Sequence, residues 1–278
     1  MKGHKYFVGA MLASAMLSGC GGGGGSKGGG SNAGDSVGGN GGNGAASSPS
    51  SLGTNAAQGF YVGKLANGYA HRTFVLDNGQ YYTIYGPDVG GIFAVSGLLQ
   101  GSGQANNGSF TSTDLKDFYS IRAQVISGSL NASYTPGGNF NATVNEGSIG
   151  MTFTGTADSP WLKYNSPASL ADIIGAWSLG TLWGFGGTRD RVALNIANDG
   201  AFTGTHGGCS FNGTIAARVS GKNVFDVTIN YGAPPCSPPN RSGYGIAFTY
   251  HAGNGRRQLT FAGVDGPRQF GILMYGDR

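Results

Sequence analysis

Arg72-Thr73-Phe74-Val75-Leu76, then Asp77-Asn78-Gly79, then Gln80-Tyr81-Tyr82-Thr83-Ile84-Tyr85 is the stretch on which the fold turns. Two runs rich in β-branched and aromatic residues flank a turn whose Asn and Gly tolerate positive φ, which predicts a β-hairpin. In the second run Tyr81 and Tyr85 share one face and Tyr82 takes the other. One of those faces is expected to be core, and the other to stack on a sugar or pack on a protein. The same grammar returns at Val192 to Ile196, Asn198-Asp199-Gly200 and Ala201-Phe202-Thr203. Composition agrees: 55 glycines, 13 Tyr and 15 Phe in 278 residues, with 11% charged residues, favour strands and tight turns over helices.

Working outward, the order of features suggests a duplicated β module. Each half opens with Gly-x-aromatic, at Gly59-Phe60-Tyr61 and Gly175-Ala176-Trp177. Each has a late apolar-Thr-Phe-x-Gly strand, at Met151 to Gly155 and Leu259 to Gly263. The fold class expected is all-β, with two small antiparallel barrels in tandem, each of about eight short strands, because closure removes exposed edges. A pair of sandwiches is the alternative. The first module spans residues 59–158 and the second 175–278. Between them, the connector 159–174 carries a cap, a proline and a terminal glycine in Ser166-Pro167-Ala168-Ser169-Leu170-Ala171-Asp172-Ile173-Ile174-Gly175, which predicts one short helix.

Residues 1–19 read as a secretory signal peptide, with Lys2 and Lys5 before an uncharged run from Phe7 to Leu17. That run is shorter than the roughly 20 residues a membrane-spanning helix needs. Leu17-Ser18-Gly19-Cys20 resembles the bacterial lipobox, which implies cleavage before Cys20 and diacylglycerol and palmitate-type acyl chains on Cys20. Two or three chains give stable anchoring. The absence of Asp after Cys20 points to the outer membrane. Residues 20–58 form a linker in which Gly21 to Gly44 holds 14 glycines in 24 residues, a flexible tether. Two Gly-x-Ser-x-Gly matches fall in this coil, at Gly24 to Gly28 and Gly34 to Gly38. They lack the flanking strand and helix that a hydrolase elbow requires.

Gly175-Ala176-Trp177 also resembles the Gly-x-Trp that opens the first lipocalin strand, where the Trp closes one barrel end beneath a late basic residue. The resemblance implies Trp177 and Arg268 as that pair. More broadly, the lipobox, the polyglycine start Cys20 to Ser26, the repeated β halves and the final strand Phe270 to Arg278 look like the surface lipoproteins related to transferrin-binding protein B and factor H binding protein. That resemblance implies a tethered pair of barrels that binds another protein without catalysis. The family's Glu-Leu-Gly-Gly stretch is missing from Gly263-Val264-Asp265-Gly266-Pro267, so no binding residues carry over.

With Cys20 lipidated, Cys209 and Cys236 remain as an even pair in an exported chain, which favours a disulfide. It is expected to pin the proline-rich Pro234 to Pro239 loop against the first hairpin of the second barrel. A metal site built from the two sulfurs and His206 lacks a fourth ligand. His71, His206 and His251 show no linked spacing, and Glu146 is the sole Glu, so paired-carboxylate chemistry would rest on scattered Asp residues. No catalytic residue, cofactor or metal is expected.

Net charge is +4, of which Lys2 and Lys5 leave with the signal. Arg189, Arg191, Arg256 and Arg257 form a candidate patch for an anionic partner. Nucleic acid is disfavoured. The expected function is a lipid-anchored outer-membrane surface protein acting as a monomeric binding or adhesion module, with the membrane as one partner and an unidentified protein or glycan as the other. A lipocalin-like carrier of a small apolar ligand inside one barrel is the alternative, and a ligand-free structural lipoprotein the third reading.

Overall fold

The Asp77-Asn78-Gly79 turn joins two paired strands, with Thr73 opposite Thr83 and Gly79 at φ 82°, a left-handed conformation that favours glycine. A computed structural model describes residues 55–89, 92–119, 124–157, 159, 162–183, 191–251 and 256–278. The signal, the lipobox cysteine and nearly all of the tether lie outside these residues. In the first half the strands are β1 (Gly59–Leu65), β2 (Ala70–Val75), β3 (Gln80–Gly86), β4 (Asp88–Val89), β5 (Ile92–Phe93), β6 (Gly97–Ser102), β7 (Gln104–Asn106), β8 (Ser109–Tyr119), β9 (Gln124–Tyr134), β10 (Asn139–Glu146) and β11 (Ile149–Thr156). The second half has β12 (Gly175–Trp183), β13 (Arg191–Ile196), β14 (Ala201–His206), β15 (Cys209–Ala217), β16 (Phe225–Tyr231), β17 (Ser242–His251), β18 (Arg257–Asp265) and β19 (Gly271–Asp277).

Both halves are closed antiparallel barrels of eight strands that follow one another in chain order. In the first, β1-β2-β3-β6-β8-β9-β10-β11 closes through β1 on β11, with β7 an extra strand on β8 and β4–β5 a small separate ribbon. In the second, β12 through β19 closes through β12 on β19. Two markers of the suspected duplication hold the same topological place: the Gly-x-aromatic openings lie on β1 and β12, and the two Asp/Asn/Gly turns join the second strand to the third. The third does not. Phe153 sits on the eighth strand of its barrel and Phe261 on the seventh of the other.

Glycine opposite an aromatic ring is how these narrow barrels are filled. Tyr85 faces Gly97 and Tyr81 faces Gly101 across β3 and β6, while Phe202 faces Gly213 and Phe211 faces Gly204 across β14 and β15. A Cβ at any of these four glycines would overlap the ring opposite. Each ring therefore lies flat over its neighbouring strand and occupies the interior.

A third apolar core fills the seam between the barrels. Phe60, Phe74, Tyr82 and Leu98 on the outside of the first barrel meet Ile246, Phe248, Val264 and Leu273 on the outside of the second. Phe74 and Phe248 are both fully buried, with ring centroids 4.5 Å apart. Arginines clamp the rim: Arg218 of the second barrel donates from Nε to Asp77 Oδ1 of the first at 2.6 Å and also pairs with Asp226. This settles the tyrosine faces. Tyr81 and Tyr85 point into the barrel, and Tyr82 packs on the neighbouring barrel rather than on a sugar.

The expected connector helix is not there. Among the described connector residues only Leu170–Asp172 forms a three-residue 3-10 turn, and Ser169 makes no side-chain cap. The segment is instead held across one end of the second barrel, where Ile173 is buried and Leu170 packs on the barrel core.

Candidate functional site

The ends of the barrels decide where a ligand has access. One end of the second barrel is covered by the connector: Trp177 is buried there and its Nε1 donates to the carbonyl of Ile173 at 2.6 Å. The basic residue over the Trp177 ring is Arg278, with Cζ 4.3 Å from the centroid, and Arg278 Nη1 donates to the Ile174 carbonyl at 2.6 Å. The expected Trp177–Arg268 pair is thus corrected to Trp177–Arg278. Arg268 lies past the opposite end of β18 and reaches the first barrel, where Nη1 meets Asp114 Oδ2 at 3.0 Å and Nη2 donates to the Gln100 carbonyl at 2.8 Å.

At the other end of the second barrel, Cys209 and Cys236 form the disulfide, 27 residues apart. It ties the proline-rich loop to the β14–β15 turn, not to the hairpin that opens the barrel, because Cys209 is the first residue of β15. Both sulfurs are consumed by the bond, so they are not available with His206 as metal ligands. A small void among Val227, Ile229, Phe261 and Ile272 has about 10 Å³ of room, enough for one water molecule at most.

The expected anion patch does not assemble. Arg191 starts β13 opposite Gly180, at the disulfide end of the barrel, while Arg256 and Arg257 precede and start β18 at the connector end. They are separated by a strand length, on the order of 15–20 Å. Arg257 is also committed, with Nη1 donating to Asp172 Oδ1 at 2.7 Å and to the Asp172 carbonyl at 3.0 Å. Arg189 lies outside the described residues.

In the first barrel one end is closed. Ala57 is buried there and accepts the Tyr61 hydroxyl at 2.9 Å, above a packed row of Tyr61, Phe110 and Phe140. Inward-facing residues behave differently at the opposite end. Ile149 pairs with Glu146 across β10 and β11 and so faces the interior, yet 53% of it is exposed. Ile126, opposite Asp117, and Met151, opposite Val144, are half-buried. Among the described residues this end carries no buried cap, and its rim is apolar.

Below that rim lie two carboxyl groups. Asp117 of β8 is buried and accepts the Tyr85 hydroxyl at 2.7 and 2.9 Å. Burial pushes the Asp117 carboxyl up to about 8, and the neighbouring Glu146 charge adds to the rise. Glu146 is also raised by burial and is hydrogen-bonded to Asp117. The neutral Asp117 donates, and the Glu146 carboxylate accepts. Hydrogen bonds thus run from Tyr85 to Asp117 to Glu146, whose Oε1 is buried. Glycine is required at Gly128 because a Cβ there would lie 2.4 Å from the Asn145 carbonyl oxygen of the neighbouring strand. Tyr119 stacks on Tyr85 at a centroid distance of 6.4 Å.

His71 shares this interior in neutral form. Burial lowers its ring to about 4, and Nε2–H donates to the Thr154 carbonyl at 2.9 Å. Nδ1 then accepts from Thr73, whose oxygen accepts from Thr83 at 2.9 Å. The carboxyl pair is the feature that sequence reasoning missed. Its signal was available in part, because Phe140, Ala142, Val144 and Glu146 share the alternation that points inward on β10.

No protein-family model matches the chain, and no curated protein does. Among solved structures, the chain is similar to a protein of unknown function of the DUF3598 family from Nostoc punctiforme PCC 73102. Identity is 9%, the match covers 82% of this chain and 98% of that one, and the TM-score is 0.24. A likeness at that score adds nothing to the reading of the site.

Proposed function

We propose that the protein is a lipid-anchored envelope protein that binds a small ligand, without catalysis, in the open end of its first barrel. The observation that carries this reading is Ile149, an inward-facing residue half exposed above the buried Asp117–Glu146 pair. The outward aromatic faces that a macromolecular docking surface would use are taken up by the seam, whereas the open end keeps apolar surface in contact with water. A directly hydrogen-bonded pair also leaves no gap between the carboxyls for the water or sugar that paired-carboxylate hydrolysis places there. The lipobox and tether support anchoring through Cys20 at the outer membrane.

The reading is tested with the neutral fluorophore N-phenyl-1-naphthylamine and the full-length protein. Fluorescence should rise on mixing, and Met151→Trp, which fills the mouth, should remove most of the rise. An undiminished signal in the variant returns the site to the outer surfaces. Anchoring is tested separately: Cys20→Ser should move the protein from the membrane to the soluble fraction.

A further inference from the structure

We infer that Asn107-Gly108, at the tip of the β7–β8 hairpin, is a site of spontaneous covalent modification, where the Asn107 side-chain amide leaves as ammonia and a carboxylate takes its place.

The step needs nothing beyond water. The backbone nitrogen of the residue after an asparagine gives up its proton to solvent and attacks the side-chain Cγ. A C–N bond closes a succinimide ring, and the side-chain nitrogen departs as ammonia. Water then opens the ring at either carbonyl, which yields an aspartyl residue or its isoaspartyl isomer. Glycine in the second position favours closure, because no Cβ shields its nitrogen. The fold imposes two conditions: the asparagine side chain must be free to turn, and the glycine N–H must not be held by an acceptor.

Four Asn-Gly pairs lie in the described residues, beginning at Asn67, Asn78, Asn107 and Asn212. Three fail these conditions. Asn67 Oδ1 accepts from Tyr69 N at 3.0 Å, and Gly68 N donates to the Leu65 carbonyl at 2.9 Å. Asn78 Oδ1 accepts from Gln80 N at 3.1 Å, and Gly79 N donates to the Leu76 carbonyl at 3.0 Å. Asn212 stands inside β15, where Gly213 is paired with Phe202 on one side and Ile229 on the other. A strand laddered on both edges cannot twist into the ring.

Asn107 meets both conditions. It is exposed, its side chain has no hydrogen bond among the described residues, and Gly108 N has no acceptor there. Gly108 is held through its carbonyl, which accepts from Tyr134 N at 2.8 Å. The φ values of 47° and 80° at this pair are both positive, as in the tight hairpin turns that select Asn-Gly. Turn chemistry thus supplies the reactive dipeptide. Its tip can also accept the change, because β7 lies outside the eight strands that close the barrel.

The experiment is peptide mapping by mass spectrometry of the full-length protein after prolonged incubation at mildly alkaline pH, folded and in urea. In the folded protein Asn107 should convert at least about tenfold faster than Asn67, Asn78 or Asn212, whose hydrogen bonds must break first. In urea those bonds are gone, and the lead of Asn107 should shrink to less than about threefold. Folded-state conversion at Asn107 no faster than at the other three overturns the inference. So does a lead of the same size in urea, which would assign the choice to neighbouring residues and not to the fold.

Discussion

The two barrels share strand number, connectivity and direction, yet among the described residues one has a buried segment at both ends and the other at one. In the second barrel the connector with Trp177 and Arg278 covers one end, and the disulfide buries Cys236 against the core at the other. In the first, Ala57 and Tyr61 close one end, while Ile149 stands half in water at the other. The carboxyl pair lies in the first barrel, whereas the buried carboxylate of the second, Asp265, is ion-paired with Arg241 beside a hydrophobic cluster that holds one cystine and Tyr231. A closed barrel wall is a scaffold; access is set by what lies across its ends.

The contrast can be broken most forcefully at the seam. Phe248→Ala removes a fully buried ring that meets both Phe74 and Phe60, and should cost about 3–5 kcal/mol. Because that core belongs to both barrels, calorimetry should show a single transition moved to lower temperature. Two separate transitions would mean that the barrels are independent.

Next in size is the staple of the sealed barrel. Cys236→Ser, which opens a 27-residue loop, should cost about 2–4 kcal/mol. In the native protein without reductant, neither Cys209 nor Cys236 should react with a thiol reagent.

The open barrel carries a pH signature. Asp117 is held protonated in the fold, at about 8, so between the ordinary carboxylate range and that value the folded state binds more protons than the unfolded one. Stability is therefore greatest below about pH 4 as far as this group is concerned, and falls as pH rises toward 8. Asp117→Asn should flatten that fall, which is on the order of 1–3 kcal/mol, in urea unfolding followed at pH 5 and pH 8. An unchanged pH profile would show that the pair is ionised in the fold.

The smallest effect is expected at the Trp177 lid. Arg278→Ala loses the stacked guanidinium and its bond to Ile174, about 1 kcal/mol. Ligand binding in the first barrel should be untouched.

Much of this architecture was legible in residue order. Alternation as clean as Asn139 to Glu146 or Arg191 to Ile196 marks strands with one wet face. The seam was visible only as a failure of alternation: Tyr81 through Gly86 and Leu259 through Asp265 are buried at every position, the mark of strands covered on both sides. The carboxyl pair was hidden for a different reason. A register shift between Ser112 and Leu115 interrupts β8, so counting alternate positions from Phe110 puts Asp117 on the wrong face. The exchange of Arg268 for Arg278 has a similar origin, since both are late and basic and only the strand register says which one returns to β12.

That return has a consequence for how the nascent polypeptide matures. Pairing of β12 with β19 joins segments roughly a hundred residues apart, and the Trp177 lid needs Arg278 itself. Until the ribosome has delivered those residues, Phe60, Phe74 and Tyr82 have no second barrel to lie against and stay wet. The first barrel must therefore wait, sticky on one flank, which makes that interval the one in which a holding chaperone matters most.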